Sequence, residues 1–148
     1  MKEVPLSDEK SGNILSGEFA KQYPLHILIA EDNLINQKLI RHILTKMGYD
    51  TEIAQNGHEV LEKMKIKPYD VILMDIQMPE MDGLEATGII RKQQIQQPYI
   101  IAMTANAMPE DREICIQAGM DEYIAKPMKL DELNAILKKA YPIVKERA

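Results

Sequence analysis

Four apolar runs in this chain each break off at a charged or hydroxyl-bearing residue, and a helix-like stretch follows each break. Leu25 to Ala30 leads into Glu31 and Asp32, Tyr69 to Met74 into Asp75, Tyr99 to Met103 into Thr104, and Glu122 to Ala125 into Lys126 and Pro127. Strands joined by helical crossovers pair in parallel, because the chain must return to the starting edge before the next strand begins. Parallel strands all finish at the same edge. The alternation therefore gathers three carboxylates, a hydroxyl and a cation on one rim of one sheet.

The segments between the runs carry helix signals. The first helix is expected from near Asn33, with Leu34, Ile35, Leu39, Ile40, Ile43, Leu44 and Met47 as its apolar face, Lys46 in its last turn and Gly48 as terminator. A further strand, Asp50–Ala54, is too polar for the middle of a parallel sheet and suits an edge. The second helix opens at Asn56, with Glu59 three residues on, and stops before Pro68. The third opens at Asp82, with Glu85 in the matching place. The fourth has Pro109 in its first turn and Gly119 at its end. The fifth is expected from Leu130 to Tyr141, before Pro142. The fold class is thus α/β: a doubly wound, five-stranded parallel sheet over residues 25–141, with its site outside the carboxyl ends of the strands. Residues 1–24 carry Pro5, Ser7, Gly12, Asn13, Ser16 and Gly17 without a sustained apolar period and read as a linker or flexible tail. Residues 142–148 read as a C-terminal tail.

Composition narrows the function. A length of 148 residues fits one domain with a sizeable core. Six Tyr, one Phe and no Trp leave that core to aliphatic side chains, with ten Met as adaptable filler. A formal net charge of −5 argues against a protein that tracks a nucleic-acid backbone. No apolar stretch is long enough to span a bilayer, so no membrane contact by this chain itself is expected. Cys115 stands alone, which excludes an internal disulfide and suits a reducing cytoplasm; it reads as a small apolar helix residue. His26, His42 and His58 read as ordinary residues without a phosphotransfer role.

The rim has a chemistry of its own. An isolated carboxylate at the end of a buried strand is costly. Three together repel one another, and a hard divalent cation relieves that repulsion; Mg²⁺ takes carboxylate, carbonyl and water oxygens in near-octahedral geometry. Lys126 is a point charge suited to neutralising phosphate. Each residue also has a plainer reading: Asp75 as a turn cap, Glu31 and Asp32 as acids favouring a helix start, Thr104 as a strand former. All five converging on one rim fits a magnesium-dependent phosphoacceptor better.

Four motifs sharpen this: Ile29-Ala30-Glu31-Asp32-Asn33, Met74-Asp75-Ile76-Gln77-Met78-Pro79-Glu80-Met81-Asp82-Gly83, Met103-Thr104-Ala105-Asn106-Ala107 and Ala125-Lys126-Pro127. In this order and spacing they resemble the receiver (response-regulator) domain of two-component signalling, over roughly Leu25–Tyr141. The resemblance implies a flavodoxin-like strand order 2-1-3-4-5. It implies Asp75 as phosphoacceptor, with Thr104 and Lys126 contacting the phosphoryl group. It implies Mg²⁺, with Mn²⁺ as a substitute, held by Glu31, Asp32, Asp75 and the backbone carbonyl of Gln77. It further implies a switch made by Thr104 and Tyr123, reshaping a face that includes Met108 and Lys129, and a cis peptide before Pro127. The expected partners are a histidine kinase phosphodonor domain or a histidine phosphotransfer protein.

Two other classes fit poorly. Aspartate-nucleophile phosphatases place a second Asp two residues after the first, where Gln77 stands. Flavin modules need a Gly/Ser/Thr-rich phosphate loop after the first strand, where Glu31 and Asp32 would repel a phosphate. No ATP-binding kinase domain is recognised, so self-phosphorylation and dephosphorylation are the only activities expected. Only one helix is expected after Lys126, which leaves no room for a DNA-binding output domain. Two contexts remain: a free-standing single-domain regulator, or the C-terminal receiver of a hybrid sensor histidine kinase, the cytoplasmic part of a membrane-anchored sensor. The motifs resemble the hybrid-kinase receivers more.

Overall fold

The computed structural model describes residues 17–105 and 108–147. Most of the expected linker, residues 1–16, lies outside this range, as do Asn106, Ala107 and Ala148. The elements are α1 (Glu18–Gln22), β1 (Ile27–Ala30), α2 (Leu34–Lys46), β2 (Thr51–Ala54), α3 (Gly57–Ile66), β3 (Val71–Asp75), α4 (Gly83–Lys92), β4 (Tyr99–Thr104), α5 (Pro109–Ala118), β5 (Glu122–Ala125) and α6 (Leu130–Arg147). The strands form one sheet in the order β2-β1-β3-β4-β5, and every adjacent pair is parallel. The doubly wound, flavodoxin-like architecture is the one the sequence implies.

Burial explains the order. Every residue of β1, β3 and β4 is buried, and these three near-continuous apolar strands take the centre. The mixed strand β2, with Glu52 and Ile53 only half-buried, takes an edge. Two aliphatic cores lie on the two faces. One packs Ile27, Ile29, Leu73, Ile101 and Met103 against Leu44 and Leu137. The other packs Leu28, Ile72, Met74, Ile100 and Ala102 against Val60, Ala86 and Ile90. Alternate residues of each strand serve alternate faces, as the pleat demands.

Three helices begin with a side-chain cap near the strand ends. Asn33 accepts from the Asn36 N–H at 3.0 Å, Asn56 from the Glu59 N–H at 2.9 Å, and Asp82 from the Glu85 N–H at 2.8 Å. Each cap satisfies an N–H that the helix leaves orphaned.

The structure departs from the sequence reading in three places. First, the apolar face expected for α2 is only partly inward. Ile40, Leu44 and Met47 are buried, but Leu34, Ile35 and Leu39 are 64%, 76% and 47% exposed. A helix lying on a sheet buries one stripe, and the remaining apolar residues spill beyond it.

Second, the last helix does not stop at Tyr141; it continues through Pro142 to Arg147. Proline removes one helical hydrogen bond. The continued stripe of Leu137, Ala140 and Val144 remains buried, and Arg147 is anchored by donating to Asp121 Oδ1 at 3.0 Å and to the Pro98 carbonyl at 3.1 Å. Tertiary contacts outweigh the local cost.

Third, part of the expected linker is a docked helix. Phe19 of α1 is 4% exposed, its ring 4.9 Å from Tyr23 and 6.2 Å from Tyr49. The Gly17 and Ala20 N–H groups donate to the Lys46 and Met47 carbonyls at 3.1 and 3.0 Å, satisfying acceptors at the end of α2. Gly48 is doubly required there. Its φ is +101°, and a Cβ on it would lie 2.6 Å from the Gly17 carbonyl oxygen.

Candidate functional site

The register of the sheet builds the rim. Ala30 pairs with Met74, so Glu31 falls beside Asp75. Asp75 pairs with Met103, one residue short of Thr104. Thr104 pairs with Ala125, one residue short of Lys126. Parallel pairing thus turns four strand ends into one constellation, in an open cleft of about 660 Å³ that Glu31, Asp32, Asp75, Gln77, Thr104 and Lys126 all line.

Lys126 is the centre of the charge arrangement. Its Nζ lies 2.8 Å from Asp75 Oδ2 and 2.8 Å from Glu31 Oε1. The contact to Asp75 is a hydrogen bond. The contact to Glu31 Oε1 is an ion pair without hydrogen-bond geometry, and among the described residues that buried oxygen has no hydrogen-bond partner. Burial alone would pull the Lys126 pKa down. The hydrogen bond to Asp75, the close approach of Glu31 and the charges of both carboxylates outweigh burial and hold it above the ordinary lysine value. The ammonium is therefore fully charged at neutral pH.

The acids are held from several sides. Asp75 and Glu31 are 6% and 1% exposed, while Asp32 faces solvent. Asp75 Oδ1 accepts from the Gln77 N–H at 3.2 Å, and Glu31 Oε2 accepts from the Asn33 N–H at 3.1 Å. One carboxylate oxygen from each of Glu31, Asp32 and Asp75 lies within 4.8 Å of the others. An all-oxygen donor set, one member exposed to a wide cleft and one carrying an oxygen without a hydrogen bond, is suited to a hard divalent cation.

The loop after β3 is fixed by backbone contacts. Ile76 N–H donates to the Met103 carbonyl at 3.1 Å, Gly83 N–H to the Ile76 carbonyl at 2.9 Å, and Gly57 N–H to the Met81 carbonyl at 2.8 Å. Glu80 adopts φ +68°, a left-handed conformation that non-glycine residues seldom take. A Cβ at position 83 would lie 2.3 Å from the Asp75 carbonyl oxygen, so only glycine lets α4 start this close to the strand end.

The structure brings Glu31, Asp32, Asp75, Gln77, Thr104 and Lys126 to one cleft. The Lys126–Pro127 peptide is cis. Thr104 is 8% exposed at the end of β4. Tyr123 is half-buried on β5, packed against the core on the face of Leu28 and Ile72. Met108 and Lys129 are exposed. His26, His42 and His58 are exposed and line no part of the cleft. Cys115 is fully buried, and burial pushes its thiol pKa up.

Some residues of the site escaped the sequence reading. Gln37 is 6% exposed, and its Nε2 donates to the Glu31 backbone carbonyl at 2.6 Å. Asn36 and Asp111 line the cleft. Gln37 had a signal: it shares the buried stripe of α2 with Ile40 and Leu44, and a polar residue on an apolar stripe needs a partner. Asn36 and Asp111 had none, since they reach the cleft only through the way their helices pack.

A family description of the response regulator receiver domain matches residues 27–138. The chain belongs to this family. Among similar proteins, hybrid signal transduction histidine kinase H from Dictyostelium discoideum is 46% identical over 127 residues, covering 82% of this chain and 9% of that kinase. This receiver chain thus spans a small part of that relative's length. Its fold matches the receiver domain of sensor histidine kinase PA1611 from Pseudomonas aeruginosa PAO1, whose crystal structure has a magnesium ion coordinated in the active-site cleft. That match has a TM-score of 0.74 and 42% identity, and it covers 80% of this chain and 98% of the other. It also matches the receiver domain of the Saccharomyces cerevisiae response regulator Ssk1, crystallised with the histidine phosphotransfer protein Ypd1. There the TM-score is 0.73 with 30% identity, covering 80% of this chain and 90% of that one.

Proposed function

We propose that this receiver domain accepts a phosphoryl group from a phosphohistidine onto Asp75 and changes shape in response. One observation carries the reading: Asp75 meets the acid pair and Lys126 at a single point, with Lys126 Nζ 2.8 Å from Asp75 Oδ2. In the transfer a carboxylate oxygen of Asp75 attacks phosphorus. The new O–P bond forms as the P–N bond to the donor imidazole breaks, and the imidazole nitrogen leaves with the electron pair. Such transfers need little covalent work from the protein; positioning and charge neutralisation supply the rate. Lys126 exchanges the Asp75 carboxylate for a phosphoryl oxygen, and the Thr104 hydroxyl donates to another. Glu31, Asp32, Asp75 and the Gln77 carbonyl would hold Mg²⁺, or Mn²⁺ in its place, which supplies neutralisation of the phosphoryl charge.

The shape change runs through Thr104 and Tyr123. Thr104 turned toward the phosphoryl group vacates room on β4, and the half-buried Tyr123 ring moves into it. Phosphate favours that inward state only by contacts it lacks in the outward one. Nuclear magnetic resonance of the beryllofluoride-treated protein should show Tyr123 and α5 shifting together with the loop after Asp75. Shifts confined to that loop would remove the switch.

The donor is a histidine-bearing domain of a kinase or a phosphotransfer protein. Support comes from the Ssk1 neighbour and from the surface: Asn36 and Lys126 line both the cleft and an adjoining apolar groove with Leu39, Ile40, Met103, Pro127 and Met128. The larger polypeptide is a hybrid histidine kinase, a reading supported by the Dictyostelium relative, and we propose that the domain lies on its cytoplasmic side. Among the described residues no helix is long and apolar enough to cross a membrane.

The test is direct. Acetyl phosphate with Mg²⁺ should add one phosphoryl group to the wild-type chain, mapped to Asp75 by mass spectrometry, and none to Asp75→Asn. An adduct on His26, His42 or His58 would overturn the assignment.

A further inference from the structure

Gln37 is the polar member of an otherwise apolar stripe. With Ile40 and Leu44 it forms the buried side of α2, and its amide donates to the Glu31 backbone carbonyl at 2.6 Å. On the opposite side, the Glu31 N–H donates to the Ala54 carbonyl at 2.9 Å. The Glu31 backbone is thus gripped between β2 and α2 where β1 ends. The gripped carbonyl belongs to the peptide unit that joins Glu31 to Asp32. That unit is planar, so fixing its oxygen fixes the direction in which Asp32 leaves the strand. Asp32 is exposed and depends on its backbone for its aim into the cleft.

We propose that Gln37 is a positioning residue for the acid pair. Through the Glu31 carbonyl it orients the Glu31–Asp32 turn so that both carboxylates face Asp75. The inference rests on reading Glu31 and Asp32 as cation ligands and deepens it. Gln37 touches no bound ion; it acts through a backbone group, as outer partners of metal ligands do. A side chain of similar length without the donor keeps the packing against α2's neighbours and leaves the Glu31 carbonyl to swing.

The experiment compares three versions of this 148-residue chain. Gln37→Met keeps side-chain length and removes the donor. Leu44→Val loosens the same stripe without touching Glu31. Mg²⁺ affinity is measured by calorimetry, unfolding by a thermal scan, and the Asp32 and Asn33 amide signals by nuclear magnetic resonance of metal-free protein. Gln37→Met should weaken Mg²⁺ binding by about ten-fold and displace the metal-free amide signals. Leu44→Val should lower the unfolding midpoint and leave both readouts at wild-type values. Wild-type Mg²⁺ affinity in Gln37→Met, or equal weakening in Leu44→Val, would overturn the proposal. Should Gln37→Met fail to fold, Gln37→Leu carries the same comparison. If the wild type takes up no Mg²⁺, the ligand reading of Glu31 and Asp32 falls. The metal-free signals then decide the positioning role: displaced in Gln37→Met, they uphold it; undisturbed, they overturn it.

Discussion

Among the described residues Lys126 is the one cation set against Glu31 and Asp75, 2.8 Å from each, and its removal separates two roles. Lys126→Met leaves the two buried carboxylates facing each other with no positive charge between them, so a divalent cation should still bind. Phosphorylation of Asp75 should fall by about 100-fold, the usual cost of losing a group that stabilises developing charge. Calorimetry and timed phosphorylation check both halves; lost Mg²⁺ binding in this variant would contradict the charge arrangement. Asp32→Ala should lose Mg²⁺ binding outright, and equal affinity in both proteins would remove the ligand assignment. Gly83→Ala places a Cβ 2.3 Å from the Asp75 carbonyl oxygen and must push the strand end or the loop away. It should fold and phosphorylate slowly; a wild-type rate would mean that the loop geometry does not matter. At this scale the sequence was readable wherever a polar residue ended an apolar run, as at Asp75, Thr104 and Lys126. It was opaque where a residue reaches the cleft from the side of a helix, as Asn36 and Asp111 do.

Among the elements, α1 belongs to the domain. Phe19 is 4% exposed and sits among Tyr23 and Tyr49, while the Tyr49 hydroxyl donates to the Tyr23 carbonyl at 2.6 Å. Tyr23 in turn meets Tyr141 of α6, edge to face at 5.6 Å. Phe19→Ala should cost about 3 kcal/mol, as truncating a buried aromatic does. Gly48→Ala should undock α1 by steric conflict with the Gly17 backbone. Urea unfolding checks both; wild-type stability in either would make α1 a bystander. A period of five residues is too short to show on a hydropathy profile, so the segment read as linker. The end of α6 differs for a related reason: Pro142 is a local stop signal, and the anchor that overrides it, Arg147 on Asp121, is long-range. Helix starts were legible because Asn33, Asn56 and Asp82 declare themselves locally.

For the molecule as a whole, buried phenols set the alkaline limit. Burial first, then the charges of Glu122 and Asp121, push the Tyr99 phenol from 10.0 up to about 12. The unfolded chain releases that proton near the lower value and the folded one near the upper. Between them the unfolded state binds fewer protons, so stability falls as pH rises. Tyr49 and Tyr69 are raised chiefly by burial, and Lys126 is raised as well, so all act in the same direction. Stability in urea should hold from neutral pH to about 9, where the raised Cys115 thiol begins to count, and drop further through the Tyr99 window; a flat profile there would contradict the burial of these groups. The convergence on one rim follows from alternation alone, because parallel strands all end at one edge; the order of the strands comes from the resemblance to receiver domains and is the order of the sheet. The central claim, that the rim is a phosphoacceptor, is tested most directly by transfer from a phosphorylated histidine phosphotransfer protein with and without Mg²⁺. The account predicts rapid appearance of one alkali-labile phosphoryl group on Asp75, dependent on Mg²⁺ and absent in Asp75→Asn. Transfer that persists in Asp75→Asn, or that ignores Mg²⁺, would contradict it.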